Sequence, residues 1–592
     1  MAAFKNIFNS IPLLKPKRNV FDLSFDNLVS LNFGDLVPIM CKEVLPGDTW
    51  QVQSSAMVRF APMLAPIMHR VNVYVHYFFV PNRILWSDFE DFITGGRDGM
   101  ANPSFPRLVF DEMWDEMGAY GQTGRDILTK HGSLLDYLGL PTLSDPTADE
   151  DLWNGTFAGR EINLLPFAAY QKIYNDYYRD QNLQDEIDVK DLVDNAVILA
   201  SNVFERFGEP VTIPVTDPAN LFVLRRRAWE KDYFTSALPW PQRGGDVHLP
   251  LSGDAPITFV HDDDGTAMDN ATTLRRADNG QVVQSGGIYS LDYQQDGKTT
   301  GRLAEQTDGL ISVDNSNNLK ADLSEVTAAT VNELRRAVRL QEWLEKNARS
   351  GARYIEQILS HFGVRSSDGR LDRAEYLGGG KAPVQISEVL QTSETTNASP
   401  LGDFAGHGIS VGNSNKFRKF FEEHGFVLGI MSIMPRSSYA GGLPRVFTKF
   451  DKFDYAWPEF ANLGEQEIRL SEIDAAATAG RDEAGTSISG KNIVDPVFGY
   501  TPRYAEYKFS LNELHGDFLG NMRFWHLGRI FDSPEGNKVP RLNEDFIQVR
   551  SDDDNLKRIF AVEDATQHHL WCEVFNRVTV KRALPKFGAP TI

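Results

Sequence analysis

Four short stretches carry residue types suited to chemistry. Gly378-Gly379-Gly380-Lys381 has the form of the end of a phosphate-binding loop, in which backbone N–H groups and a lysine cradle phosphate. Glu375 stands where that loop needs its first glycine, however, and Ala382 replaces the hydroxyl that would hold Mg²⁺, so the run reads as a turn. Asp262-Asp263-Asp264-Gly265 matches part of a calcium loop but lacks the bidentate glutamate at its end. Ser487 sits one residue beyond Thr486 and Gly485, as in a nucleophile elbow, yet Ser489 occupies the place of the second glycine. His568 and His569 are adjacent in an extended segment, where neighbours point to opposite faces, so they do not chelate one ion. No HExxH and no cysteine-rich metal spacing occurs. The expectation is no catalytic residue, no metal and no cofactor.

The remaining chemistry is ionic. Net charge is −21, which disfavours a general nucleic-acid coat, because phosphate binding rests on Lys and Arg. The charge is uneven: Lys5, Lys15, Lys17 and Arg18 precede the first acid, Asp22, and Arg577, Lys581, Arg582 and Lys586 follow the last, Glu573. Basic ends on an acidic body are a pattern of arms. Lys15, Lys17, Arg18, Lys581, Arg582 and Lys586 are therefore the candidates for phosphate contact, with Phe21 and Phe587 able to stack on unpaired bases. Arg225-Arg226-Arg227 could also reach phosphate, although such a run more often lies in a solvated or ion-paired turn.

The elements that would carry these residues are mostly strands. Val71 to Val80 is β-branched and aromatic, half-buried at first and buried on both faces later. Leu31–Met40 and Thr49–Phe60 are strands joined by the turn Leu45-Pro46-Gly47-Asp48, and Gly425–Pro435 and Trp571–Arg582 are two more. Ser87 with Glu90 reads as a capping box opening a short helix that ends at Gly95-Gly96. A second helix follows Pro166, with an aromatic stripe from Phe167 to Tyr178 that belongs to a core or a subunit interface. Helices also run over 189–208 and from Thr330 through Phe362, with a break at Ser350-Gly351.

Length, at 592 residues, exceeds a single compact domain without large insertions, and 42% apolar content supports a sizeable core. Composition shifts between about 245 and 328, where Trp is missing and Asp264-Gly265, Asn279-Gly280, Asp296-Gly297 and Asp308-Gly309 mark hairpin turns. The expected organisation is a basic arm over 1–20, a core from 21–244 and 329–592, and a hairpin-rich surface insertion over 245–328. Cys41 and Cys572 read as unpaired thiols. No apolar run reaches the ~20 residues that span a bilayer, and no signal peptide is expected.

Several long strings resemble one family. FAPMLAPIMHRVNVYVHYFFVPNRILW with FITGG, LPFAAYQKIYNDYYRDQN, LRRRAWEKDYFTSALPWPQRG and ARSGARYIEQILSHFGV with RLDRAEYLGGGKAPVQISEVLQTS are similar to the major capsid protein of microviruses, most closely the gokushovirus branch. The resemblance implies a mainly β fold with helical loops, namely an eight-stranded antiparallel viral jelly roll with very long inter-strand insertions. It also implies self-assembly into an icosahedral T=1 capsid of a small single-stranded DNA bacteriophage, made in the bacterial host cytoplasm and located in the virion without membrane insertion. The implied partners are the chain itself, packaged single-stranded DNA, a small basic DNA-packaging protein, scaffolding and pilot proteins, and a host surface receptor. The insertion would form threefold protrusions, which makes Asp264, Gly265, Asn279, Gly280, Asp296 and Gly297 the receptor candidates. The competing reading of the same aromatic-rich, β-rich composition is a carbohydrate-binding protein or glycosidase, which would need paired carboxylates in a cleft.

Overall fold

A computed structural model describes residues 17–109, 130–142, 160–195, 218–245, 247, 331–350, 353–365, 367–390, 404–413, 416–475, 495–531, 539–550, 553–561 and 567–587, with six short strand segments between 257 and 321. The chain divides into two compact units, 1–243 with 345–592, and 244–344.

The first unit is built on two antiparallel sheets. In chain order their strands are β1 (Asn19–Asp22), β2 (Phe25–Leu31), β3 (Val37–Val44), β4 (Thr49–Phe60), β5 (Val71–Pro81), β6 (Glu375–Pro383), β7 (Gln385–Leu390), β8 (Phe404–Asn413), β9 (Phe417–Phe420), β10 (Gly425–Pro435) and β11 (Leu570–Arg582). One sheet runs β1/β2, β11, β4, β8/β9, β7, and the other runs β6, β5, β10, β3. The turn between β3 and β4 forms as its sequence predicts, with Gly47 at φ +89 and the Asp48 N–H donating to the Leu45 carbonyl at 3.0 Å.

A single hydrophobic cluster joins the two sheets. It draws Trp50, Val52, Val58 and Phe60 from β4 and Val574, Val578 and Val580 from β11 against Val73, Val75, Tyr77 and Phe79 of β5 and Met431 and Ile433 of β10. One hydrogen-bonded chain crosses this apolar layer. The Tyr77 hydroxyl donates to Ser54 Oγ at 2.6 Å, Ser54 Oγ donates to Asn576 Oδ1 at 2.5 Å, and Asn576 Nδ2 donates to the Ile39 carbonyl at 3.3 Å. It thus passes from the second sheet through two strands of the first and back.

The second sheet is covered on its other face too. A helix, α1 (Leu165–Ile173), packs with Phe167, Tyr170 and Ile173 against Phe78 and Val80 of β5 and Leu428 and Ile430 of β10. β10 is consequently buried at every position. β5 is buried at all but His76, including Asn72 and Tyr74, which the sequence reading leaves half-exposed. For Tyr74 the reason lies in Arg227, whose guanidinium sits 4.1 Å from the centre of the Tyr74 ring, and in Glu230, which accepts the Tyr74 hydroxyl. After α1 the chain widens into a π turn, Tyr174–Tyr178. Arg353 and Arg373 satisfy carbonyls of this region at Asn175, Arg179 and Asp176.

Two local expectations change. The Ser87–Glu90 capping box does not form: Ser87 bonds Asp194 instead, through both its N–H (3.0 Å) and its hydroxyl (2.5 Å), and the helix Phe89–Thr94 starts without a side-chain cap. Gly95 does close that helix, in the left-handed conformation at φ 78. The glycine run 378–380 is not a turn either. It lies in β6 paired to β5, with a register shift between Tyr376 and Gly378. A Cβ on Gly379 would lie 2.6 Å from the His76 ring and 2.7 Å from the Val75 carbonyl, so only glycine permits this approach.

In the second unit three antiparallel pairs nest, one within the next: 257–259 with 319–321, 274–276 with 311–313, and 289–295 with 299–305. Among the described strands, Asp296-Gly297 is the dipeptide with the two strands of one pair immediately on either side. Strands flanking the other three pair further along the ladder. The helix Val331–Ser350 follows, and in the first unit Tyr354–Phe362 ends at Gly363 in the left-handed conformation.

The crossing hydrogen-bond chain makes Asn576→Leu costly despite the gain in apolar surface. The Ser54 hydroxyl loses its Asn576 acceptor inside the core, at about 1–3 kcal/mol for a buried group, while the Ile39 carbonyl keeps the Asn27 amide at 3.1 Å. A urea unfolding midpoint well below that of the unmodified protein is the expected result. An unchanged midpoint would mean that the hydroxyl finds another acceptor.

Candidate interaction surfaces

Two of the four candidates for chemistry, the glycine run with Lys381 and the histidine pair, take structural roles. Lys381, the lysine of the glycine run, reaches Glu230 at 3.4 Å and lies over the Tyr74 ring. His568 meets Ser30 Oγ at 2.9 Å, while His569 stacks on Phe560 and meets Asn32, so the two rings serve different neighbours. Among the described residues no group of His, Cys, Asp and Glu is placed to hold a metal ion. Asp262–Gly265 and Gly485–Ser489 lie outside the described residues. Cys41 is half-buried and Cys572 buried, both free, and burial pushes both thiols up to about 12.

A cavity of about 740 Å³ is lined by Arg83, Glu90, Lys172, Glu186, Asp188 and Asp372 among others. Three of its carboxylates are engaged: Asp372 pairs with Arg83 at 2.6 Å, Glu186 with Arg179 at 3.3 Å, and Asp188 accepts the Asp191 N–H at 3.1 Å. That is a network that holds loops together, unlike the paired acid and base of a glycosidase.

The arginine triplet is neither solvated nor poised for phosphate. Arg225 donates to Gln171 at 2.7 Å and Asn220 at 2.6 Å and lies over Tyr174. Arg226 faces the buried Asp35, whose carboxyl burial raises to about 6 against the pull of that guanidinium. Arg227 donates to Ser432 at 2.9 Å. Its charge adds to burial in holding His76 down to about 4, and His76 Nδ1 shares a 2.7 Å hydrogen bond with the Tyr178 hydroxyl. The triplet thus ties β5 and β10 to the helical layer.

The basic ends, by contrast, come together. β1 pairs with the end of β11 so that Asn19 lies opposite Arg582 and Val20 opposite Lys581, and Asn19 Nδ2 donates to the Leu584 carbonyl at 2.7 Å. Lys17, Arg18, Lys581 and Lys586 are exposed there. Lys15 lies outside the described residues. Arg582 has another partner: its Nη2 is 2.6 Å from Asp48 Oδ2, a carboxylate with no exposed surface that also accepts Trp50 Nε1 at 3.1 Å. Asp264, Gly265, Asn279, Gly280, Asp296 and Gly297 fall outside the described residues.

The largest surface signal is apolar. Val446, Phe447, Phe450, Phe453, Tyr455 and Trp457 form an excursion of short 3₁₀ turns in which each of these side chains is exposed, Phe450 by 90%. Tyr507 and Phe509 are exposed as well. Runs of solvent-facing aromatics are rare on monomers and mark contact with other molecules. The sequence shows the aromatic run but not its exposure, because its spacing has neither a helical nor a strand period.

A β-rich body bearing exposed aromatic excursions has the build of a protein that works by association. The chain belongs to the capsid protein (F protein) family, whose model matches residues 10–592. It is 32% identical to capsid protein VP1 of Chlamydia phage 1, over 100% of this chain and 98% of that one. It is 34% identical to capsid protein VP1 of Bdellovibrio phage phiMH2K, over 98% and 97%, and 26% identical to capsid protein VP1 of Spiroplasma virus 4, over 97% and 95%. Its role is that of a structural capsid protein, which sets aside the carbohydrate-binding and glycosidase readings.

The Asp48–Arg582 pair gives a stability test. Arg582→Gln leaves a buried carboxylate without its cation, at about 3–5 kcal/mol. Adding Asp48→Asn should recover much of that loss in urea melts. If the single variant melts like the unmodified protein, the pair is not holding the end of the sheet.

Proposed function

We propose that copies of this chain close into a small icosahedral shell of T=1 symmetry around single-stranded DNA, each contributing an eight-stranded jelly roll with very long insertions. The observation that carries the assembly reading is the exposed aromatic excursion at 446–457, which lone copies would leave in water. Strand order supports the roll. With β2, β3, β4, β5, β6, β8/β9, β10 and β11 taken as strands one to eight, the first sheet orders one, eight, three, six and the second two, seven, four, five. That is the order two interleaved Greek keys produce.

The insertion over 245–328 is proposed as the outward protrusion at the threefold axes, with Asp264, Gly265, Asn279, Gly280, Asp296 and Gly297 on the turns that meet a host surface receptor. Its nested pairing supports this, since a ladder that leaves and returns along itself needs little from the rest of the fold. A small basic DNA-packaging protein and scaffolding and pilot proteins are the further proposed partners, with assembly in the bacterial host cytoplasm. Among the described residues no helix is long and apolar enough to cross a membrane.

Phe450→Ser with Trp457→Ser should leave the soluble chain folded, by near-ultraviolet circular dichroism, and abolish shells in electron micrographs. Shells at normal yield would remove the excursion from the assembly contacts. Replacing 245–328 with a short Gly/Ser linker should likewise preserve folding, because closure cost changes slowly with loop length. Aggregation of that deletion protein would contradict an independent protrusion, whereas folded particles that no longer attach to host cells would fit it.

A further inference from the structure

The two sheets of the first unit differ on their outward faces. The outer face of the second sheet lies under α1, while the outward residues of β4 and β11 in the first are exposed or half-buried. In β11 the alternation is strict from Leu570 to Arg577: Leu570, Cys572, Val574 and Asn576 point inward, and Trp571, Glu573, Phe575 and Arg577 point out. Trp571 is 48% exposed and Phe575 41%, and they stand on one strand four residues apart, about 13 Å. Arg59 of β4 lies directly opposite Trp571, and Arg577 follows two residues after Phe575. Toward the end where the basic termini meet, Gln51 of β4 pairs with Arg418 of β9, and Thr49 is flanked by Lys581 and by Phe420, itself 44% exposed beneath the Arg18 guanidinium.

Three large rings with cations beside them stand on this open sheet face, next to the exposed Leu28 and Val20 of its edge strands. Among the described residues, Arg59, Arg418, Arg577 and Lys581 have no ion-pair partner within 4.0 Å. The acids on this face are Asp22 and Asp26 on the edge strands and Glu573 between the two rings of β11. On a chain of net charge −21 this is a locally cationic strip.

We infer that the open face of the first sheet is a stacking platform for single-stranded nucleic acid, with Trp571, Phe575 and Phe420 receiving unpaired bases and Arg59, Arg418, Arg577 and Lys581 receiving the phosphates. The inference rests on the shell reading, because it is the packaged genome that would supply the strand. Charge complementarity selects a polyanion, and the exposed rings select one whose bases are free to leave their own stack, which a duplex does not offer. Contacts of this kind carry no base specificity. The converging basic ends extend the strip rather than acting as separate arms.

The test is a titration of the soluble full-length chain with a short labelled oligothymidylate, a duplex of equal length and heparin, read by fluorescence anisotropy at several salt concentrations. Trp571→Ala and Phe575→Ala should each weaken oligothymidylate binding roughly tenfold and leave the weaker duplex and heparin binding unchanged. Trp571→Phe should bind nearly as the unmodified chain does. Changing Arg59, Arg418 and Arg577 to Gln together should lower the salt slope by about 2. Ring variants that bind oligothymidylate normally would overturn the proposal, as would an equal loss for all three polyanions. Loss of shells with unchanged oligothymidylate affinity would also overturn it and make the face a contact between copies. If the unmodified chain forms no particles at all, the shell reading fails, while the titration still decides whether the platform exists.

Discussion

The sandwich depends on a polar chain running through an apolar layer. Tyr77, Ser54 and Asn576 are each almost or wholly buried, and the Tyr77–Ser54 and Asn576–Ile39 bonds cross between the sheets, so they form only when both sheets hold one relative position. Apolar side chains such as Val52, Val578 and Met431 would tolerate a small slide between the sheets, since burial is not directional. A hydroxyl and an amide would not, because a slide strands them without water. The chain therefore works as a registration device. The long insertions hang from strands whose relative placement it sets.

The second consequence of the architecture is the asymmetry between the sheets. One sheet lies in the middle of three layers and the other at the outside, and this difference explains which strands were legible. β5 and β10 are sandwiched, so they read as unbroken apolar runs. β11 has a wet face and reads as alternation, Trp571 to Arg577 out of phase with Leu570 to Asn576. The half-exposed reading of Tyr74 failed because its cover comes from Arg227 and Glu230, charged residues that no hydrophobic pattern flags. The helix at 165–173 was visible from Pro166 and the aromatic spacing.

What stayed hidden was pairing between distant polar groups. Ser87 and Glu90 have the spacing of a capping box, yet Asp194, more than a hundred residues on, takes the serine. The glycines at 378–380 suggest phosphate or a turn, while their cause is the His76 ring and the β5 backbone pressed against them. Arg582 counted as a free cation in an acid-free tail, and its engagement with Asp48 is invisible until the ends of the chain meet. The turn dipeptides of the insertion mark reversals of local direction, but nesting decides which strands meet. Local rules thus located elements, and long-range electrostatics and sterics assigned their partners.

The place of β11 bears on the timing of synthesis. It is an interior strand of the first sheet, flanked by β2 and β4, yet it is encoded some five hundred residues after them. At about 5–20 residues per second, a ribosome takes roughly half a minute to nearly two minutes to travel that distance. Throughout that interval β2 and β4 have no strand between them, and their unpaired edges invite chaperones or aggregation. A nascent chain therefore cannot present the finished open sheet, and a chain that stops before residue 570 leaves β2 and β4 with no strand to join them.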